Sequence, residues 1–355
     1  MKILVRAPNW IGDAVMATPA LSALRRHFPS AEIALLARPT IAALFEAHPD
    51  IDRCIFYERP GRHESLGGLA MLVRALRRER FDLAVLFQNA FEAALIAVAA
   101  GIPERIGYAC DGRRFLLTAS CPRASAPRHQ RAAYLHLMTL CGAEERDAPP
   151  RLVVRPEERA EAARIAGWSK TDIGVGIHPG AAYGPAKRWA PARFAAVADQ
   201  LVRRFGVRVV IVGSTAEREI AEAVAKAATT PVAVLAGRTT VRQMMGLFAR
   251  CRLLVTNDSG PMYVAAALGT PVVAVFGPTD PTATSPAGAP CAIVQQPVDC
   301  APCTHRVCPR LSDIHRCMTG VSVSAVLAAA EAAMTESCHE TWASRSLLTS
   351  KDDLV

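Results

Sequence analysis

Lysine is nearly absent from this chain: of its 41 basic residues only five are Lys, at positions 2, 170, 187, 226 and 351. The others are Arg, so a single Arg carries little information. A Lys kept inside a motif marks a place where a compact ammonium serves and a planar guanidinium does not. Long apolar runs are also missing. The longest stretches, near 93–102 and 262–277, are short or broken by Gly, Thr and Pro, and neither reaches the roughly 20 residues of a membrane span. No charged segment followed by an apolar run opens the chain, so no secretion signal is expected and a cytoplasmic protein is. Aromatics make up only 6% of the residues. Despite a net charge of +9, base stacking on a nucleic-acid surface is therefore poorly supported. No G-x-G-x-x-G follows a candidate strand, which weakens a dinucleotide-binding reading.

What is present is a β-then-α rhythm, running twice. At 355 residues two domains are expected. Candidate strands are 3–5, 33–37, 54–57 and 83–87, then 173–177, 208–212, 232–235, 253–256 and 272–276, with helices between them. The expected architecture is α/β: two doubly wound, Rossmann-like domains facing each other across a cleft, with ligands at the carboxyl ends of the strands. The expected boundaries are 1–160 and 161–320. An Ala-rich helix at 321–336 is a candidate to cross back onto the first domain, and 337–355 reads as a disordered tail.

The richest stretch is residues 256–281, TNDSGPMYVAAALGTPVVAVFGPTDP. Asp258, Ser259 and Gly260 form a turn that opens a small-residue helix. Its N–H groups suit a phosphate and its acid suits sugar hydroxyls, against the plainer reading of a helix cap. A second turn, His178 to Trp189, holds Gly180, Gly184 and Lys187. Glycines permit close backbone approach, and Lys187 can meet a diphosphate. Turns after two further strands contribute Ser214, Gly237 and Thr239. In the first half, Arg6 to Asp13 leaves a strand through Asn9 and Gly12, and Thr18-Pro19 reads as a helix cap. Asp13 is then either a general base or a helix cap. Arg-rich segments supply Arg62, Arg105, Arg113, Arg114 and Arg131, which fit an acidic acceptor as well as a solvated face.

Eleven Cys in such a chain point to free thiols or a metal site before a disulfide framework. Cys300, Cys303, Cys308 and Cys317 lie close in sequence. The first pair has metal-type spacing, but the remainder does not match a common zinc ribbon. A metal, free thiols and a redox-labile bridge all stay open.

APNWIGDAVMATPAL, HPGAAYGPAKRW, LAGRTT and the 256–281 stretch, in that order, resemble the lipopolysaccharide heptosyltransferases of glycosyltransferase family 9, over residues 1 to roughly 335. The form GPAKRW looks more like the second enzyme of that pathway than the first. The resemblance implies a GT-B fold and an inverting, metal-independent transfer with no cofactor. The donor would be ADP-heptose and the acceptor the Kdo/lipid A inner core, met at the cytoplasmic face of the inner membrane, with no nucleic acid involved. It implies Asp13 as the catalytic acidic residue. Lys187, Asp258, Ser259, Gly260, Gly180, Ser214, Gly237, Thr239 and Tyr263 fall on the donor side. Asn9, Asn89 and the five arginines fall on the acceptor side. Tyr263 departs from the family, which often has His there; a phenol donates a hydrogen bond but carries no positive charge. The alternatives are a relative acting at another core position or, in a different class, a basic nucleic-acid-binding or metal-binding module.

Overall fold

A computed structural model of the chain describes residues 1–335 and a two-residue strand at Leu348–Thr349. The expected tail over 337–355 lies, but for that strand, outside the described residues. The chain divides into two compact units, Met1–Val153 and Val154–Val355.

The first unit is a six-stranded sheet: β1 (Lys2–Arg6), β2 (Glu32–Ala37), β3 (Arg53–Phe56), β4 (Leu83–Leu86), β5 (Glu104–Ala109) and β6 (Ala119–Pro122), in the order β3-β2-β1-β4-β5-β6. Every pairing is parallel. A parallel sheet is covered on both faces, so its central strands read as continuous apolar runs. Ile3, Leu4 and Val5 of β1 and Leu83–Leu86 of β4 are accordingly buried. Helix Leu66–Glu79 shows the local rules plainly: Ser65 caps it by accepting from the Gly68 N–H at 3.1 Å, and Arg80 ends it in the left-handed region. Leu72 and Leu76, a turn apart, join Tyr57, Phe81 and Ile96 in the core beneath it.

The second unit repeats the plan. Its strands are β7 (Gly174–His178), β8 (Arg208–Ile211), β9 (Val232–Val234), β10 (Cys251–Asn257), β11 (Val272–Phe276) and β12 (Cys291–Gln295), with β13 (Leu348–Thr349) beside β12. The order is β13-β12-β11-β10-β7-β8-β9. In each unit the strand order reverses beside the first strand, between β1 and β4 and between β7 and β10. That reversal is where an open α/β sheet leaves a crevice for ligands.

Helix Val323–Thr335 turns Val326, Ala329, Ala330 and Ala333 into the core of the second unit, against helix Pro191–Phe205 and its sheet. Thr18 is not a cap: it lies inside helix Thr18–His27, donates its hydroxyl to Val15 O at 2.8 Å and accepts from Arg151 N. Four strands escaped the sequence reading, β5, β6, β12 and β13: Arg105 interrupts the apolar pattern of β5, Ser120 and Cys121 that of β6, and β12 and β13 are short, with only Ala292–Val294 apolar in β12.

Candidate functional site

In the first unit, β1 ends at Arg6, and the chain passes Asn9 to enter helix Ile11–Met16 with Asp13 in its first turn. The cap position belongs to Trp10, whose side chain makes no capping bond, so Asp13 is not serving as the cap. The carboxylate is half-buried. Burial pushes its pKa up to about 6, against a hydrogen bond from the Tyr134 hydroxyl that pulls it down. Tyr134 is itself buried on helix Gln130–Leu137, edge-on to Phe87 at 5.3 Å. Neither Tyr134 nor that helix is legible near a site in the sequence.

Arg6, also unforeseen as a functional group, is buried under the Tyr57 ring at 4.5 Å. Its guanidinium donates to Ala7 O at 2.6 Å and to Asn9 Oδ1 at 2.9 Å, which fixes the Asn9 side chain in the loop that leads to Asp13. Burial lowers its pKa to about 10. Across the switch point, the loop after β4 carries Asn89. Arg113 donates to Asn89 Oδ1 at 3.0 Å, to Tyr108 O at 2.9 Å and to Gln88 O.

Arg113 is fully buried, which corrects its reading as an acceptor-binding charge: it braces the 88–90 loop from inside. Arg105 donates to Leu116 O at 2.7 Å and Pro103 O at 2.9 Å, and Arg131 pairs with Asp147 and Ala148 O. Arg62 and Arg114 are exposed.

In the second unit the two predicted turns meet. The 178–189 turn leaves β7 and the 257–260 turn leaves the adjacent β10. Lys187 Nζ lies 2.5 Å from Asp258 Oδ2, with both side chains nearly buried, and Thr279 donates its hydroxyl to the same oxygen. Lys187 also sits over the Tyr183 ring at 4.9 Å. Asn257 ties the turns together: its Oδ1 accepts from Trp189 N at 3.0 Å and its Nδ2 donates to Pro179 O at 2.7 Å. Ser259 is the cap residue of helix Gly260–Ala267, with Gly260 its first residue.

Behind that turn, His178 Nδ1 lies 3.1 Å from Ser259 Oγ and 3.3 Å from Thr256 Oγ1, and its Nε2 is 3.5 Å from Glu217 Oε2. Glu217 also accepts from Ser214 N at 2.9 Å and Ser214 Oγ at 2.8 Å. Burial pushes Glu217 up, but the bond and charge of His178 and the Ser214 donors outweigh it and hold the carboxyl at about 2. Ser214 is thus part of a capping box. Gly180 packs so closely that an added Cβ would stand 2.1 Å from Glu217 Oε1. Gly237 has φ +70° in the turn after β9, and Thr239 precedes the Thr240 cap of helix Val241–Phe248. Tyr263, the family departure, is buried and donates its hydroxyl to Thr284 O at 2.5 Å.

Sequence reading missed Thr279, Asn257 and Glu217. The first two lie within the 256–281 stretch, where only the pairing of turns reveals their partners. Among the described residues no three His, Cys, Asp or Glu side chains stand as a ready metal shell. Among the described residues, no helix is long and apolar enough to cross a membrane.

Comparisons to known proteins show the family and the fold. Residues 69–312 match the profile of glycosyltransferase family 9 (heptosyltransferase). The chain is 34% identical over 301 residues to lipopolysaccharide heptosyltransferase 2 of Escherichia coli, covering 81% of this chain and 85% of that protein. The solved structure of E. coli ADP-heptose LPS heptosyltransferase II superposes with a TM-score of 0.80 at 29% identity, covering 94% of this chain and 98% of that one. A family 9 glycosyltransferase from Veillonella parvula gives a TM-score of 0.83 at 26% identity, over 95% and 97% of the two chains. The fold is therefore the α/β GT-B arrangement of those enzymes, and the chain belongs to glycosyltransferase family 9, the heptosyltransferases.

Proposed function

We propose that this enzyme transfers L-glycero-D-manno-heptose from ADP-heptose to the heptosyl-Kdo/lipid A inner core of lipopolysaccharide, with inversion at the anomeric carbon. The observation that carries the catalytic assignment is Asp13: an acid at the switch point of the first unit, not engaged as a cap, with its pKa raised to about 6 by burial. A base poised near the working pH combines a useful ionised fraction with a useful proton affinity. Asp13 takes the proton from the acceptor hydroxyl as its oxygen bonds to the anomeric carbon. The bond from that carbon to the diphosphate breaks on the opposite face, and ADP leaves with the electron pair. Tyr134 and Asn9 flank the base, and Arg62 and Arg114 are the arginines open to an acidic acceptor.

The donor side belongs to the second unit. Lys187 and Thr279 both approach Oδ2 of Asp258, which leaves Oδ1 to accept from heptose hydroxyls. The ammonium of Lys187 and the N–H groups of Ser259 and Gly260 meet the charge that grows on the leaving diphosphate. Gly180, Ser214, Gly237 and Thr239 shape the turns on which ADP rests, and Tyr263 braces the 281–284 turn beside them. No cofactor takes part in the transfer itself. The acceptor is a lipid-anchored saccharide, so the enzyme works at the cytoplasmic face of the inner membrane without spanning it, and nucleic acid has no part.

The similarity to heptosyltransferase 2 proteins supports the choice of acceptor over other core positions. The test is ADP release from ADP-heptose with defined truncated cores. Turnover is expected with a core ending in its first heptose and not with one lacking it. Preference for a core already carrying the second heptose would move this chain to a different acceptor position.

A further inference from the structure

The segment 296–315 has no helix or strand, yet it packs on the donor turns. Cys303 N and Thr304 N both donate to Pro278 O, at 2.9 and 2.8 Å, next to the Thr279 that holds Asp258. Ala186 N donates to Arg306 O at 3.1 Å, and the Tyr183 hydroxyl donates to Thr304 O at 2.6 Å, both beside Lys187. Gly184 is pressed against the same loop, since an added Cβ would stand 2.3 Å from Arg306 O. So an irregular loop braces both turns of the donor site. A loop of this length without regular structure or an apolar core needs another source of order.

Cys300, Cys303, Cys308 and Cys317, with His305 and His315, line one cavity of about 260 Å³ under that loop. All four cysteines are free thiols. Cys308 Sγ accepts from His315 N at 3.4 Å. We propose that these four cysteines form a binding site for a thiophilic divalent cation of the zinc type, which fixes the 300–317 loop and through it the turns bearing Lys187 and Thr279. Four cysteines lining one cavity offer the soft ligand set of structural zinc. The sulfurs line the cavity wall and do not already converge as a shell. A bound cation would have to bring these four side chains together to complete a four-sulfur shell. The cation has no part in the transfer; it orders the loop.

The full-length reduced protein, stripped of metal under anaerobic conditions, is titrated with Co²⁺ and then with Zn²⁺. One equivalent of Co²⁺ is expected to produce thiolate-to-metal absorption of tetrahedral type, displaced by one equivalent of Zn²⁺, with the four cavity thiols then protected from a thiol reagent. Cys303→Ser and Cys317→Ser should each weaken binding by at least the 10–100-fold typical of losing an outer-shell partner (about that range). Cys141→Ser, outside the cavity, should leave it unchanged. If a variant fails to fold, the thiol-protection arm on the native protein still decides. Absence of the absorption band, or thiols that react equally fast with and without Zn²⁺, overturns the site.

Discussion

At the scale of single residues, Asp13 and Lys187 carry opposite costs. Asp13 is an acid whose pKa is raised in the folded protein, to about 6. Such a group favours the folded state below its unfolded pKa, and that contribution is lost as pH rises through about 6. At pH 7.5 its charge is therefore a burden on stability, one that the proposed base role would require. Asp13→Asn is expected to cut turnover by about 10²–10⁴ while raising Tm at pH 7.5 and leaving ADP affinity intact; a fall in Tm with normal turnover would contradict the assignment. In the native enzyme kcat/KM should decline as pH drops below about 6, which a pH–rate profile checks.

Lys187 is the reverse case. Removing it leaves the Asp258 carboxylate buried with Thr279 alone, and breaking a buried pair costs about 3 kcal/mol. Lys187→Ala should lose both stability in denaturant melts and ADP affinity by calorimetry. Unchanged ADP affinity would remove its diphosphate role.

At the scale of elements, the proposed donor site is two turns held together by Asn257 and a third turn braced through Glu217. Gly180→Ala places a Cβ against Glu217 Oε1. It is expected to weaken ADP binding more than Gly206→Ala, where an added Cβ meets nothing, although Gly206→Ala pays a backbone cost at φ +63°. Equal ADP affinity in the two variants would show that the Gly180–Glu217 contact is irrelevant to the donor.

Most elements were legible because their residues obey one local rule at a time. Val272–Phe276 is an unbroken buried strand, and Leu66–Glu79 carries its own cap and apolar stripe. Lys187 and Asp258 were legible as candidates from their turns, but their contact was not, because it joins positions that only the β7–β10 pairing makes neighbours. Arg113 misled for the same reason: an Arg in an Arg-rich run looks solvated until carbonyls from the 88–90 loop and Tyr108 are found around it. Tyr134 gave no sequence signal, since its helix lies more than a hundred residues from the Asp13 it serves.

At the scale of the whole molecule, each compact unit has its own apolar core, and the proposal assigns each its own half of the chemistry. Residues 154–355, expressed alone, should unfold cooperatively and bind ADP without transferring heptose; failure to bind ADP would mean that donor recognition is not confined to the second unit. The central claim is an inverting transfer in which the first unit supplies the base and the second holds the donor. NMR of the product made from ADP-heptose and a truncated core ending in its first heptose tests it most directly. The account predicts one new glycosidic linkage whose anomeric configuration is opposite to that of the donor, formed with one ADP released per linkage. A product of retained configuration, or ADP released without any new linkage, would contradict it.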